Sequence, residues 1–151
     1  MSENLKKLLA CVSVLQMRWP QLTLCGSVAL MFANLLDERT AGDVDFVLNR
    51  KDFDAHKFFA LSHDRYPTQD EYDSFHGNIQ ILDYRFSINL LVFKDEYPIN
   101  HENISVSGTN VKIQKADDIL CWKKKYNREK DRTDLEKISN KLVEKYFLEE
   151  K

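Results

Sequence analysis

Two carboxylates set one residue apart, Asp43 and Asp45 in the segment DVDFVL, are the first feature of the chain that could do chemistry. The alternation of polar and apolar residues there predicts a strand. Its period of two places Asp43, Asp45 and Val47 on one face and Val44, Phe46 and Leu48 on the other. The two Cβ atoms then stand roughly 6–7 Å apart, close enough for both carboxylates to turn towards one hard divalent cation. Mg²⁺, or Mn²⁺ in its place, binds through one or two carboxylates and fills its shell with phosphate oxygens and water. Two solvated aspartates on a polar sheet face are the bland alternative, and the neighbouring residues weigh against it. Gly26 and Ser27 follow the short apolar run LTLC. At such a strand-to-helix junction, unpaired backbone N–H groups and the helix dipole face an incoming anion. Glycine lets the backbone come close, and a serine hydroxyl can donate to a phosphate oxygen. Arg39 and Thr40 lie in the loop just before the aspartates. The arginine there can bind a phosphate or balance the carboxylates. A phosphate cradle and a cation site joined by one helix is what metal-assisted phosphoryl or nucleotidyl transfer requires.

These side chains need elements to hold them. Residues 3 to 18 carry Leu5, Leu8, Leu9, Val12 and Leu15 at helical spacing, with Pro20 as the stop. LTLC (22–25) predicts a strand, and the apolar SVALMFANLL a buried helix. After the aspartate strand, KDFDAHKFFALSHD (51–64) predicts a surface helix closed by Pro67. The runs 78–86 and 87–94 predict an antiparallel hairpin, and ISVSG with VKIQ a second, weaker one around Gly108, Thr109 and Asn110. From Asp117, expected as an N-cap, the chain predicts helix to residue 148, with Leu135, Ile138, Leu142 and Tyr146 as the apolar stripe of the last one. Helices therefore flank a small mixed sheet, an α/β or α+β arrangement in a single domain spanning 1–151.

Composition narrows the class. With 43% hydrophobic and 30% charged residues the chain is an ordinary globular one rather than a disordered one. A net charge of -2 excludes nucleic-acid binding driven by the charge of the whole molecule, although Lys123 to Arg132 form a local basic cluster. Cys11, Cys25 and Cys121 lie far apart without metal-ligand spacing and are expected as buried thiols in a reducing compartment. The start MSENLKKLLA lacks the apolar core of a signal peptide, and no apolar run approaches the ~20 residues of a membrane span. A cytoplasmic protein is the expectation. Trp19 and Trp122 are expected in the core or at its edge, and the four histidines lack zinc spacing.

The ordered set CGSVALMF…ERTAGDVDFVL resembles the signature of the nucleotidyltransferase superfamily related to DNA polymerase β. In that superfamily a Gly-Ser or Gly-Gly pair, a helix and a loop lead to Asp-x-Asp on the next strand. The form with Arg-Thr before the aspartates is similar to small bacterial proteins of abortive-infection and toxin–antitoxin type. A second stretch, ADDILCWKKKYNREKDRTDLEKI, resembles the element these proteins carry after the sheet, with Lys123, Arg128, Lys130, Asp131, Asp134 and Leu135 at matching places. The resemblance implies a nucleotidyltransferase fold and transfer of a nucleoside monophosphate from an NTP, ATP foremost, to a hydroxyl. It implies that Asp43 and Asp45 hold the metal, that Gly26, Ser27, Arg39 and Thr40 contact the triphosphate, and that Lys123 reaches towards it. The alternative for Lys123 is a salt bridge holding the helix corner. The acceptor would be an RNA, a protein or a small molecule, and a homo-oligomer or partner protein would complete so small a site.

One place departs from the pattern. The superfamily draws a third carboxylate from a later strand, and SINLLVF holds Asn89 at the expected point. An amide can ligate a cation weakly but cannot act as a general base at neutral pH. Asp83, expected on the preceding strand, is the acidic substitute. A catalytically degenerate protein that uses the fold as a binding or regulatory surface is therefore the rival of the enzyme.

Overall fold

The computed structural model describes residues 1–39, 43–63 and 71–144. Thr40, Pro67 and Tyr146 lie outside the described residues. Helix α1 (Glu3–Arg18) starts where the Ser2 hydroxyl accepts from the Leu5 N–H, and it turns Leu8, Leu9, Val12 and Leu15 inward. Gln16 fixes it to the sheet, donating to Leu22 and Lys112 carbonyls and accepting from the Lys112 N–H. Strand β1 (Thr23–Cys25) runs straight into α2 (Gly26–Phe32), which is shorter than its apolar sequence suggests. Then come β2 (Val44–Asn49), α3 (Arg50–Ala55), β3 (Ser62–His63), β4 (Tyr72–Ile81), β5 (Tyr84–Phe93), β6 (His101–Val106), β7 (Thr109–Gln114), α4 (Ala116–Tyr126) and α5 (Glu129–Val143).

The strands form one mixed sheet in the order β3-β4-β5-β2-β1-β7-β6. β2 stands at its centre, antiparallel to β1 and parallel to β5. Val44, Phe46 and Leu48 point into the main core with α1 and α2, as the alternation requires. On the other face Val47, Cys25 and Phe93 form a smaller apolar cluster under Trp122 of α4. That division leaves β2 apolar on both sides from Phe46 to Leu48, with Asp45 in the strand, Asp43 just ahead of it and Asn49 at its end. Among the described residues no helix is long and apolar enough to cross a membrane.

Several elements differ from the expectations. The helix predicted over 51–64 stops at Ala55, because Phe53, Phe58 and Phe59 pack instead as an aromatic cluster with Trp19 and Phe75. The segment then crosses β4 so closely that a Cβ on Gly77 would lie 2.5 Å from the Ala60 carbonyl oxygen. The first hairpin is longer and its turn lies earlier, at Leu82-Asp83, where Leu82 takes a positive φ of 54°. Leucine is not a residue that advertises such a turn. The second hairpin turns at Ser107-Gly108, so Thr109 and Asn110 belong to β7. Lys115 rather than Asp117 caps α4, and Asp117 sits in its first turn, where it complements the helix dipole. Cys11 and Cys25 are buried as expected, but Cys121 is exposed on α4.

Candidate active site

Gly26 opens the site. It takes φ +67°, and a Cβ on it would meet Asp45 Oδ2 at 2.5 Å. Both the left-handed backbone and the close approach of the carboxylate demand glycine here. Asp45 lies in register with Cys25 on one side and with Asn89 on the other. The Asn89 Nδ2 donates to Asp45 Oδ1 at 3.0 Å and to Asp43 Oδ2 at 3.3 Å, so one amide bridges the pair. Burial pushes the Asp45 carboxyl up to about 6; the Asn89 hydrogen bond works against this, the Asp43 charge with it, and the Lys130 and Lys123 charges against it. Burial, helped by the charge of Asp45, raises the Cys25 thiol well above its ordinary value, so it remains a neutral thiol.

A network of charged groups binds the C-terminal helices to the other side of Gly26. Asp134 accepts from Arg39 Nη1 at 2.6 Å, from Arg39 Nη2 at 3.1 Å and from Lys123 Nζ at 3.0 Å. Arg39 Nη2 also donates to the Ser27 hydroxyl at 2.6 Å. Asp131 accepts from Arg128 Nε at 2.8 Å and lies 3.6 Å from Lys123 Nζ. Asp131 and Asp134 are fully buried. Burial alone would raise both carboxyls, but the hydrogen bonds and charges of Arg128, Arg39 and Lys123 hold them below the usual range. Three cations face two carboxylates here, a positive surplus beside the aspartate pair. The salt bridge that was the alternative for Lys123 is thus present.

Between α4 and the sheet opens a cleft of about 120 Å³. Cys25, Val47 and Phe93 form its floor, and Tyr72, Trp122 and Tyr126 its aromatic wall. Trp122 stacks on Phe93 with centroids 5.2 Å apart and on Tyr126 at 5.4 Å. Asp45, Lys123 and Arg128 stand among its lining residues. A dry cavity of roughly 150 Å³ accepts a benzene ring, so the space is on the scale of one aromatic ring.

The structure therefore brings Gly26, Ser27, Arg39, Asp43, Asp45 and Lys123 together. Asp83 is not among them. It lies exposed in the β4–β5 turn, six residues along from Asn89, which amounts to roughly 20 Å of strand. It cannot be the missing third carboxylate. Asn89, by contrast, occupies the strand position expected for that group. The aromatic wall was missed in the sequence, although Trp122 and Tyr126 at i and i+4 must share a face of their helix.

Among the described residues, no cluster of three or more His, Cys, Asp and Glu side chains could cage a metal ion. The donors present are two carboxylates and an amide. That set suits a hard cation that keeps phosphate oxygens and water in its shell, and it does not suit a soft metal held by protein ligands alone.

No protein-family model matches the chain, and no curated protein sequence does either. Solved structures do. An antigenic nucleotidyltransferase-like protein from Paracoccidioides brasiliensis superposes with a TM-score of 0.53 at 20% identity, covering 91% of this chain and 74% of that one. A candidate nucleotidyltransferase from Thermotoga maritima superposes with a TM-score of 0.50 at 12% identity, covering 87% of this chain and 94% of that one. At these identities the likeness is one of fold: the chain has the nucleotidyltransferase fold.

Proposed function

We propose that this chain transfers a nucleoside monophosphate from an NTP, ATP foremost, to an acceptor hydroxyl. The observation that carries the reading is the paired carboxylates at the start of β2 beside a surplus of positive charge and a ring-sized aromatic cleft. Asp43 and Asp45 would hold Mg²⁺ or Mn²⁺. The cation, when bound, polarises the phosphate and neutralises charge on the leaving pyrophosphate. Ser27 and Arg39 would meet the triphosphate at the β1–α2 junction, and Gly26 keeps that junction open. Thr40 belongs to the same proposal, as the neighbour of Arg39. Lys123 and Arg128 bring charge to the rim while their carboxylate partners fix where it lies. Trp122 and Tyr72 offer the base a flat apolar wall.

Calorimetric titration with ATP, with and without Mg²⁺, is the direct test. Metal-dependent binding that is lost in Asp43→Asn/Asp45→Asn supports the site. No binding by the wild type sinks it.

A second reading has its own observation. The Asn89 amide already bridges both aspartates, so the pair is partly compensated by the protein itself. A protein of this kind would bind without turnover, as a regulatory partner in a toxin–antitoxin or phage-defence setting. Retention of a partner by the double asparagine variant would favour it.

A further inference from the structure

Gln114 ends β7, and only 5% of it is exposed. Its neighbour Ile113 pairs with Leu24 of β1, and both belong to the main core. The period of two turns Gln114 to the opposite face, the one that α4 covers. There it lines the aromatic cleft together with Cys25, Asp45, Trp122 and Lys123. β7 lies two strands from β2, roughly 10 Å across the sheet. Gln114 therefore borders the cleft at the end away from Asn89.

The charged groups along this cleft have protein partners. Asp45 is held by the Asn89 amide, Lys123 by Asp134 and Arg128 by Asp131. The side-chain amide of Gln114 makes no hydrogen bond with any described residue. Burying an amide in that way is costly, and native structures seldom do it. A glutamine so placed takes its partners from whatever enters the cleft, water or ligand. It presents an acceptor oxygen beside an NH₂ donor. The complement is a flat group with a donor next to an acceptor. Adenine carries that pair in its 6-amino group and N7. Guanine shows two acceptors, O6 and N7, on the same edge, and one of them would oppose the amide oxygen.

We propose that Gln114 reads the base, accepting from the 6-amino group of adenine and donating to N7, and so selects ATP over GTP. The aromatic wall holds the ring, and the amide fixes which edge turns towards β7. This rests on the transfer reading above, in which the cleft takes the base.

The test is calorimetric titration of the full chain, wild type and Gln114→Met, which keeps the length of the side chain. The ligands, each with Mg²⁺, are ATP, GTP, the ATP analogue without the 6-amino group, and inorganic triphosphate. The wild type is expected to bind ATP roughly 5- to 150-fold more tightly than GTP or the analogue. Gln114→Met is expected to lose that preference and to bind triphosphate as the wild type does. It no longer buries an amide without a partner, so it should melt no lower than the wild type. An unchanged ATP preference in Gln114→Met would overturn the role of Gln114 and leave the transfer reading standing. So would a wild type that does not prefer ATP. Equal losses of ATP and triphosphate, or a variant that melts well below the wild type, would overturn it too, since the amide would then serve the fold. A wild type that does not bind Mg²⁺–ATP would overturn both.

Discussion

At the scale of single residues, Asp45 couples the proposed chemistry to stability. Its carboxyl is pushed up to about 6 by burial, above the ordinary value of an unfolded chain. Between those values the unfolded chain ionises while the folded one resists, so the fold loses stability as pH rises through the window. Below it both forms are protonated and the penalty is absent; above it the penalty is complete. Asp45→Asn keeps an oxygen for the Asn89 amide and removes the charge. In the presence of a chelator it is expected to gain on the order of 1–2 kcal/mol at neutral pH. The gain should vanish near pH 4, and thermal melts at the two pH values check it. Gly26→Ala makes the opposite test. The clash with Asp45 and the positive φ are expected to cost about 1–3 kcal/mol, read as a lower denaturation midpoint. The aspartates and Gly26 were legible because alternation and a strand-to-helix glycine are local signals. The Asn89 bridge was not, because it needs the register of a strand forty-four residues away.

At the scale of elements, the position of α4 and α5 depends on Asp134. Its carboxylate joins Arg39, ahead of β2, to Lys123 on α4, from a fully buried position on α5. Asp134→Ala would leave Arg39 without a carboxylate and Lys123 with Asp131 alone, and breaking a buried pair in this way costs roughly 3–5 kcal/mol. The pH dependence has the opposite sign to that of Asp45. The folded carboxyl lies below its ordinary value, so its contribution is complete above the ordinary carboxylate range and is lost as pH falls through the folded value. Acid titration followed by circular dichroism should therefore show the wild type losing stability at low pH more steeply than Asp134→Asn. Elements were legible where one period dominates, as in α1 and β2. They were misread where side chains from distant segments decide. The residues from 56 onward carry helical apolar spacing, yet the packing of Phe58 on Phe53 and of Phe58 and Phe59 against Trp19 draws the chain out of the helix after Ala55. The early turn of the β4–β5 hairpin escaped notice for another reason: Leu82-Asp83 has none of the glycine or asparagine that such turns favour.

At the scale of the whole molecule, β2 holds the centre of the sheet, and the cleft exists because α4 folds back over that centre. No single segment contains it. Its floor comes from β1, β2 and β5, its wall from β4 and α4, and its charged rim from β2, α4 and the α4–α5 junction. This is why the aspartates could be found from sequence while the aromatic wall beside them could not. An occupant of the cleft that also reaches Asp45 touches both the sheet and α4, so it should hold the C-terminal helices down and stabilise the whole fold. A ligand at about 100 times its dissociation constant adds roughly 2.7 kcal/mol. For a chain of this length that amounts to about 5–10 °C in melting temperature. Mg²⁺–ATP is expected to give such a shift and ATP with chelator a much smaller one. Trp122→Ala separates the cleft from the charged site. Stacking of a base on an aromatic side chain contributes about 1–3 kcal/mol, so this variant should need roughly 10- to 100-fold more Mg²⁺–ATP to reach the same shift. Inorganic triphosphate, which has no base, should shift the variant and the wild type equally. A loss of the triphosphate shift in Trp122→Ala would mean that the wall only supports the fold, and the base would have to lie elsewhere.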